Sequence, residues 1–262
     1  MNLTTTTVSP AVAGIGAVPI TFTDRGEGPV NLLLHGGGGS ATVTAFADQL
    51  AEASRARVIV PVHPGFDGTD RPERLSSITG LASLYAALLD ELDLRDVTVI
   101  GNSIGGWIAA ELGLLAPPQV SRIVLVDAVG IDVPDHPVAD FFSLTPAQVA
   151  EFSYADPGRF GIDPTTLSPD RLAIMAANRE ALSVYGGSTM TDATLSTRLS
   201  AMSVPTRVIW GEADRIVDPD YGRALAAAIP AAGYLCLRRT GHLPQIETPS
   251  QLIDAITSTA TS

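Results

Sequence analysis

The chain has 262 residues, 45% of them hydrophobic and 17% charged, with a formal net charge of −12. That length and apolar fraction suit one domain with a sizeable core, and the acidic balance excludes a nucleic-acid binder, which needs a basic face for phosphates. All 16 residues in the Lys and Arg count are arginine.

No run approaches the eighteen apolar residues of a membrane span, and the threonine-rich start from Met1 to Pro10 carries no basic residue ahead of an apolar stretch. Neither a membrane segment nor a secretory leader is therefore expected, and the threonine-rich ends are expected to fray. The lone Cys236 falls inside a predicted strand and reads as a core residue. One cysteine makes no internal disulfide, which accords with a cytoplasmic location.

Strands are expected near 17–23 and 30–35, the second running into His35-Gly36-Gly37-Gly38-Gly39-Ser40. A helical pattern near 42–54 leads to a strand near 57–62 and the loop Pro61-Val62-His63-Pro64-Gly65-Phe66-Asp67-Gly68-Thr69-Asp70. After a helix near 76–93 comes a strand near 96–101, then Gly101-Asn102-Ser103-Ile104-Gly105 and a helix near 104–116 that stops before Pro117-Pro118. Strand, G-x-S-x-G turn and helix in that order form a nucleophile elbow, in which small residues let the chain reverse and leave the serine hydroxyl clear. A strand near 121–127 ends in Asp127, and about seventy residues, 130–203, then intervene with a helical patch from Arg171 to Val184 and scattered aromatics. The strand near 205–211 runs into Gly211-Glu212-Ala213-Asp214; a helix near 219–229 and a strand near 233–238 lead to Thr240-Gly241-His242 and a last helix near 249–258. Near-continuous apolar strands separated by helices imply an α/β fold with a mostly parallel, doubly wound sheet.

The order serine, acid, histidine belongs to the α/β-hydrolases and differs from the orders of chymotrypsin and subtilisin. On four ordered motifs, the elbow, the Pro64-Gly65-Phe66 loop, the Asp214 segment and Gly241-His242, the chain resembles α/β-hydrolase fold enzymes of the serine-nucleophile, carboxylesterase-like type over nearly its whole length. The segment Gly101-Asn102-Ser103-Ile104-Gly105-Gly106 and the glycine loop followed by Ala41-Thr42 also look like the C–C bond hydrolases of aromatic degradation. The resemblance implies a hydrolase core over 1–129 and 204–262, with 130–203 as a helical cap inserted after the sixth strand of that fold.

A serine hydroxyl needs a base within hydrogen-bond reach, and an imidazole titrating near pH 6.5 is suited to the task. Ser103 is thus the candidate nucleophile, His242 the base and Asp214 the acid that orients it. Asp218, which precedes Pro219 and reads as a helix cap, and Asp127, at the end of the strand before the insertion, compete with Asp214. The amides of Ile104 and Gly37 are the candidate oxyanion donors, and Gly38, His63 and Leu243 are candidates for the substrate pocket. His35 reads as a structural residue of the glycine loop, and His136 as a solvated one. No histidine or cysteine cluster has metal-ligand spacing, and without lysine the glycine loop cannot complete a phosphate-binding loop.

The expected function is cleavage of a small hydrophobic ester through an acyl-enzyme on Ser103, with a small-molecule substrate, no cofactor and no nucleic-acid or membrane partner. Serine at the elbow disfavours epoxide hydrolases and dehalogenases, which resemblance associates with aspartate there. The alternative is a C–C bond hydrolase of the aromatic meta-cleavage type, which has tryptophan where this chain has Leu243 and a cap arginine for which Arg171 and Arg179 are available. A reading of a different class is a receptor-like binding protein with little turnover.

Overall fold

The structure, a computed structural model, describes residues 3–258. Five strands set the parallel part of the sheet: β5 (Val30–Leu34), β6 (Arg57–Pro61), β7 (Val97–Asn102), β8 (Val120–Val126) and β9 (Thr206–Gly211), joined at one edge by β10 (Gly233–Leu237). Two earlier strands, β1 (Leu3–Val8) and β4 (Ile20–Arg25), pair antiparallel at the other edge, and a small hairpin of β2 (Ala11–Val12) and β3 (Gly16–Ala17) lies between them in the chain. The eight-stranded order is β1-β4-β6-β5-β7-β8-β9-β10, a mostly parallel sheet of the α/β-hydrolase fold.

The start of the chain differs from the sequence expectation. Leu3–Val8 does not fray but pairs along its length with β4, Leu3 opposite Arg25 and Val8 opposite Ile20. Its threonines are β-branched, and a ladder partner at a sheet edge is enough to order them. The expected strand at 17–23 starts instead at Ile20, because the chain up to Ala17 folds into the hairpin. At the far end the helix expected at 249–258 is present, and residues 259–262 lie outside the described range. Cys236, expected in the core, is only half-buried on the edge strand β10.

Alternation along the strands builds two cores. Leu32, Leu34, Ile59, Val208 and Trp210 face the layer of α2 (Ile78–Glu91), α3 (Ile104–Leu115) and α8 (Pro219–Ala227), while Leu33, Val58, Val60 and Ile209 face α1 (Ala41–Ser54) and α10 (Pro249–Thr257). Helices on both faces explain why the strands read as continuous apolar runs: both sides of each must be buried. Each fully buried Leu or Ile contributes about 1.5–3 kcal/mol of transfer free energy.

Between β8 and β9 the chain forms α4 (Pro146–Ser153), α5 (Pro157–Phe160), α6 (Pro169–Gly186) and α7 (Leu195–Leu199). Each of α4 to α6 begins with proline behind a side-chain cap, Thr145, Asp156 and Ser168 respectively, the arrangement that satisfies orphan amides at no cost to the proline. The return of this segment to the core is fixed by charge. Arg198 of α7 reaches both oxygens of Glu111 on α3, at 2.7 and 2.6 Å, and also Asp192 at 2.8 Å.

Glu111 is almost fully buried, so removing Arg198 leaves a carboxylate in the interior facing no cation. Arg198→Met is expected to lower stability by about 3 kcal/mol, the lower end for a broken buried pair because solvent reaches part of the guanidinium. Urea unfolding checks this, and the double variant with Glu111→Leu recovers most of the loss.

Candidate active site

The elbow is built by close packing. Strand β7 carries the chain into Ser103, whose backbone sits at φ 57° and ψ −120°, a conformation that costs a non-glycine residue free energy and is retained where the surroundings over-determine it. Its amide donates to the Val126 carbonyl at 3.0 Å, and its own carbonyl accepts from Gly106 at 3.0 Å as α3 begins. A β-carbon on Gly101 would lie 2.1 Å from the Gly105 carbonyl oxygen, and one on Gly105 would lie 2.4 Å from that of Leu34. Both positions therefore admit only glycine, which turns the sequence motif into a geometric requirement. The Ile104 amide stands at the N-terminus of α3, where orphan donors and the helix dipole favour negative charge.

His242 and Asp214 are joined directly: His242 Nδ1 lies 2.8 Å from Asp214 Oδ2, and both side chains are buried. The other Asp214 oxygen accepts the amides of Ile216 and Val217 at 2.8 and 3.1 Å. Asp218, the competing acid, accepts instead the amides of Asp220 and Tyr221 and caps α8. Asn102, directly before Ser103, ties the elbow to the histidine loop. Its side-chain nitrogen donates to the His242 carbonyl at 3.0 Å, across 140 residues of sequence, and to Val126 at 3.2 Å, while its oxygen accepts from Gln245 at 3.1 Å. Sequence reasoning passed over Asn102 and Gln245; their only signal was adjacency to Ser103 and His242.

Beneath the glycine loop lies a closed pair of histidines. His35 and His63 stack with ring centroids 3.8 Å apart. His35 Nδ1 donates to the Gly36 carbonyl and its Nε2 accepts the His63 amide, whereas His63 Nε2 donates to the His35 carbonyl and its Nδ1 accepts from the Tyr85 hydroxyl. These partners assign one proton to each ring. Burial lowers the His35 pKa to about 4, and burial together with the neighbouring His35 holds His63 well below the ordinary value. His63, expected among the pocket residues, is fully buried with both nitrogens engaged and braces the glycine loop from below. Gly37 is half-buried, Gly38 exposed and Leu243 half-buried.

The segment 130–203 packs against these loops. Leu182 of α6 packs so tightly on Gly37 that a β-carbon there would lie 2.7 Å from Leu182 Cδ2. Asp67 accepts the amide and hydroxyl of Ser40 at 2.8 and 2.7 Å and the side-chain nitrogen of Asn178 on α6 at 3.0 Å. Burial pushes this carboxyl up, but the hydrogen bonds from Ser40 and Asn178 outweigh it and hold the pKa below the ordinary value. The last turn of α4 meets the other two loops: His242 donates its amide to the Ser153 carbonyl at 2.7 Å and Arg215 donates to that of Phe152 at 3.1 Å. Glu247 accepts the amides of Gly241 on one oxygen and of Ala155 and Asp156 on the other.

His136, expected to be solvated, is half-buried and bonds Asp218 at 2.7 Å. Ligand atoms of His136, Asp218 and Asp220 lie within 4.8 Å of one another, a grouping that sequence spacing did not indicate. Each member already has a partner: Asp218 caps α8, and Asp220 pairs with Arg223. No helix among the described residues is long and apolar enough to cross a membrane.

With the elbow, the acid–histidine pair and the glycine loop all following the C-terminal ends of parallel strands, comparison with known proteins decides the family. A sequence model of the alpha/beta hydrolase family matches residues 32–255. The chain belongs to the alpha/beta hydrolase family. It is 30% identical over 243 residues to the 2-hydroxy-6-oxononadienedioate/2-hydroxy-6-oxononatrienedioate hydrolase of Cupriavidus pinatubonensis, covering 86% of this chain and 84% of that protein. It is also 27% identical to an uncharacterized protein of Mycobacterium tuberculosis, over 90% of this chain and 76% of that one. Among solved structures it shares the fold of an esterase from Thermogutta terrifontis, with a TM-score of 0.76 at 24% identity over 96% of both chains. A meta-cleavage product hydrolase from Pseudomonas fluorescens superposes with a TM-score of 0.74 at 22% identity over 95% of both.

Two outcomes follow for this hydrolase. Glu247→Ala removes the acceptor shared by the histidine loop and the insertion, so amide hydrogen exchange at Gly241, Ala155 and Asp156 is expected to quicken by about tenfold or more, the effect of losing hydrogen bonds to a charged group. The second concerns acid. His35 and His63 bind protons more weakly folded than unfolded, so their contribution is complete above pH 6.5, the unfolded value, and is lost as pH falls towards the folded value of about 4 for His35. Urea midpoints are expected to drop between pH 6.5 and 5, above the usual carboxylate range, and to drop less in His35→Asn.

Proposed function

We propose that the protein is a serine hydrolase that cleaves small hydrophobic esters through an acyl-enzyme on Ser103, with residues 130–203 forming a cap over the site. The observation that carries this reading is the 2.8 Å bond between Asp214 and His242, in a loop tied through Asn102 to the strained serine turn. Asp214 holds the imidazole proton on Nδ1, leaving Nε2 free as the base. Ser103 Oγ attacks the ester carbonyl while its proton passes to His242 Nε2, and negative charge develops on the former carbonyl oxygen. The amides of Ile104 and Gly37 stabilise that charge. The imidazolium then protonates the leaving alkoxide, and water, deprotonated by the same imidazole, releases the acid from Ser103.

An uncharged acyl group is favoured by the state of the four arginines in 130–203. Arg198 is paired with Glu111 and Asp192, Arg179 donates to the Phe141 carbonyl and lies over Phe141 and Phe142, Arg159 lies over Phe160, and Arg171 is exposed. The Asn102 amide is likewise engaged with the histidine loop. The second reading, C–C bond hydrolysis of a 2-hydroxy-6-oxo dienoate, is favoured by the relative that is 30% identical over 84% of its length and is named a 2-hydroxy-6-oxononadienedioate/2-hydroxy-6-oxononatrienedioate hydrolase.

Short-chain p-nitrophenyl esters and a fluorophosphonate probe test the first reading, and a 2-hydroxy-6-oxo dienoate the second. Native protein is expected to label at Ser103 and turn over the esters with a burst, and Ser103→Ala to be unlabelled with kcat down by at least about 10³. Faster dienoate cleavage than ester cleavage transfers the assignment to the second reading. Folded protein that neither labels nor turns over either substrate overturns both and leaves the binding-protein alternative in the lead.

A further inference from the structure

Asp127 directly follows β8 and is fully buried. Its amide donates to the Ile209 carbonyl at 3.0 Å, and its Oδ1 accepts the Gly211 amide at 2.7 Å. The other oxygen, Oδ2, is buried without a hydrogen-bond partner. Across the Gly211 turn stands Asp214, whose amide donates to the Gly211 carbonyl at 3.2 Å and whose carboxyl is near enough to act on that of Asp127. The Cys236 thiol and the Tyr234 phenol of β10 also act electrostatically on this carboxyl or are acted on by it, and burial raises the pKa of both, which keeps them uncharged at neutral pH.

Two ionised carboxylates in contact in a dry interior repel, whereas a single proton between them turns the contact into a hydrogen bond. The surroundings decide which acid keeps the proton. Asp214 as an anion is met by two backbone amides and the His242 ring; Asp127 has one amide. We propose that Asp127 is a positioning residue for the catalytic acid: it remains a neutral carboxylic acid in the folded protein and donates from Oδ2 to Asp214, holding that carboxylate aimed at His242. Burial, reinforced by the Asp214 charge, pushes the Asp127 carboxyl well above the usual range. The oxygen that accepts from no group is thereby the one that carries the proton, and the pair carries one negative charge rather than two.

The catalytic consequence rests on the triad proposed above; the protonation itself does not. Infrared spectra of the full chain in D2O at pH 8, where exposed carboxyls are ionised, are expected to show a protonated-carboxyl band that is missing from Asp127→Asn. If the asparagine variant does not fold, Asp127→Ser serves for the assignment. Absence of the band in native protein, or its persistence in the variant, overturns the proposal.

With p-nitrophenyl acetate, Asp127→Ala is expected to lower kcat on the order of ten- to a hundredfold with little change in KM, the scale of a misplaced catalytic group. Asparagine keeps a donor at the same place, so Asp127→Asn is expected to restore most of that loss and to leave the acid limb of the kcat/KM profile where it was. A limb displaced to lower pH in Asp127→Asn means that a negative charge near His242 has been removed, and overturns the proposal. Native protein that hydrolyses no ester refutes the hydrolytic reading alone, since the infrared band still decides the state of Asp127.

Discussion

The arrangement depends on how closely α3 approaches the ends of β5 and β7. Gly105 rests against the carbonyls of Leu34 and His35, and Gly101 against that of Gly105, so helix and strands meet backbone to backbone. This contact forces the sharp reversal at Ser103 and places the glycine loop beside it, because the loop begins at the same His35 that α3 touches. A side chain at either glycine would separate the elbow from the loop, and with them the serine from the amides proposed to stabilise its oxyanion.

A layer of hydrogen bonds extends this constraint to distant parts of the chain. Asn102 carries the elbow to the histidine loop, and the buried histidine pair with Tyr85 supports the glycine loop from below. The insertion adds a third set of ties: Asn178 reaches Asp67, Ser153 takes the His242 amide, and Glu247 holds the two segments together. The insertion is thus joined to each of the loops that carry the candidate residues, and its docking and their geometry are mechanically linked. Buried polar groups that are fully paired rigidify such a site; Asp127 Oδ2 and Gln245 Oε1 are buried there without a partner.

Much of the fold was legible because local signals agreed with one another. Apolar runs, proline starts and the strand–turn–helix around Ser103 marked the elements to within a few residues. The N-terminal strand was misread since polar threonines carry no core signal, and only a ladder partner at Arg25 to Ile20 orders them. His63 was read as a pocket candidate from its neighbours in sequence, yet Pro64 and Gly65 turn the chain so that its ring lies against His35. Cys236 read as core because an edge strand and a central one share the same alternation, and only its place at the rim of the sheet exposes it.

The sequence by itself determined the α/β class and the order serine, acid, histidine, since these follow from periodicity and from the order of motifs along the chain; that Gly105 must be glycine follows from its approach to the Leu34 and His35 carbonyls. The helix cap at Asp218 was already legible from Pro219 behind it; only the tertiary structure decided which acid meets His242 and that Asp127 bonds the Gly211 amide at the turn leading to Asp214. Those outcomes depend on the register of β8 against β9 and on the turn that follows Gly211. Register is set by hydrogen bonds and packing summed over residues far apart in the chain, and no local pattern carries that sum.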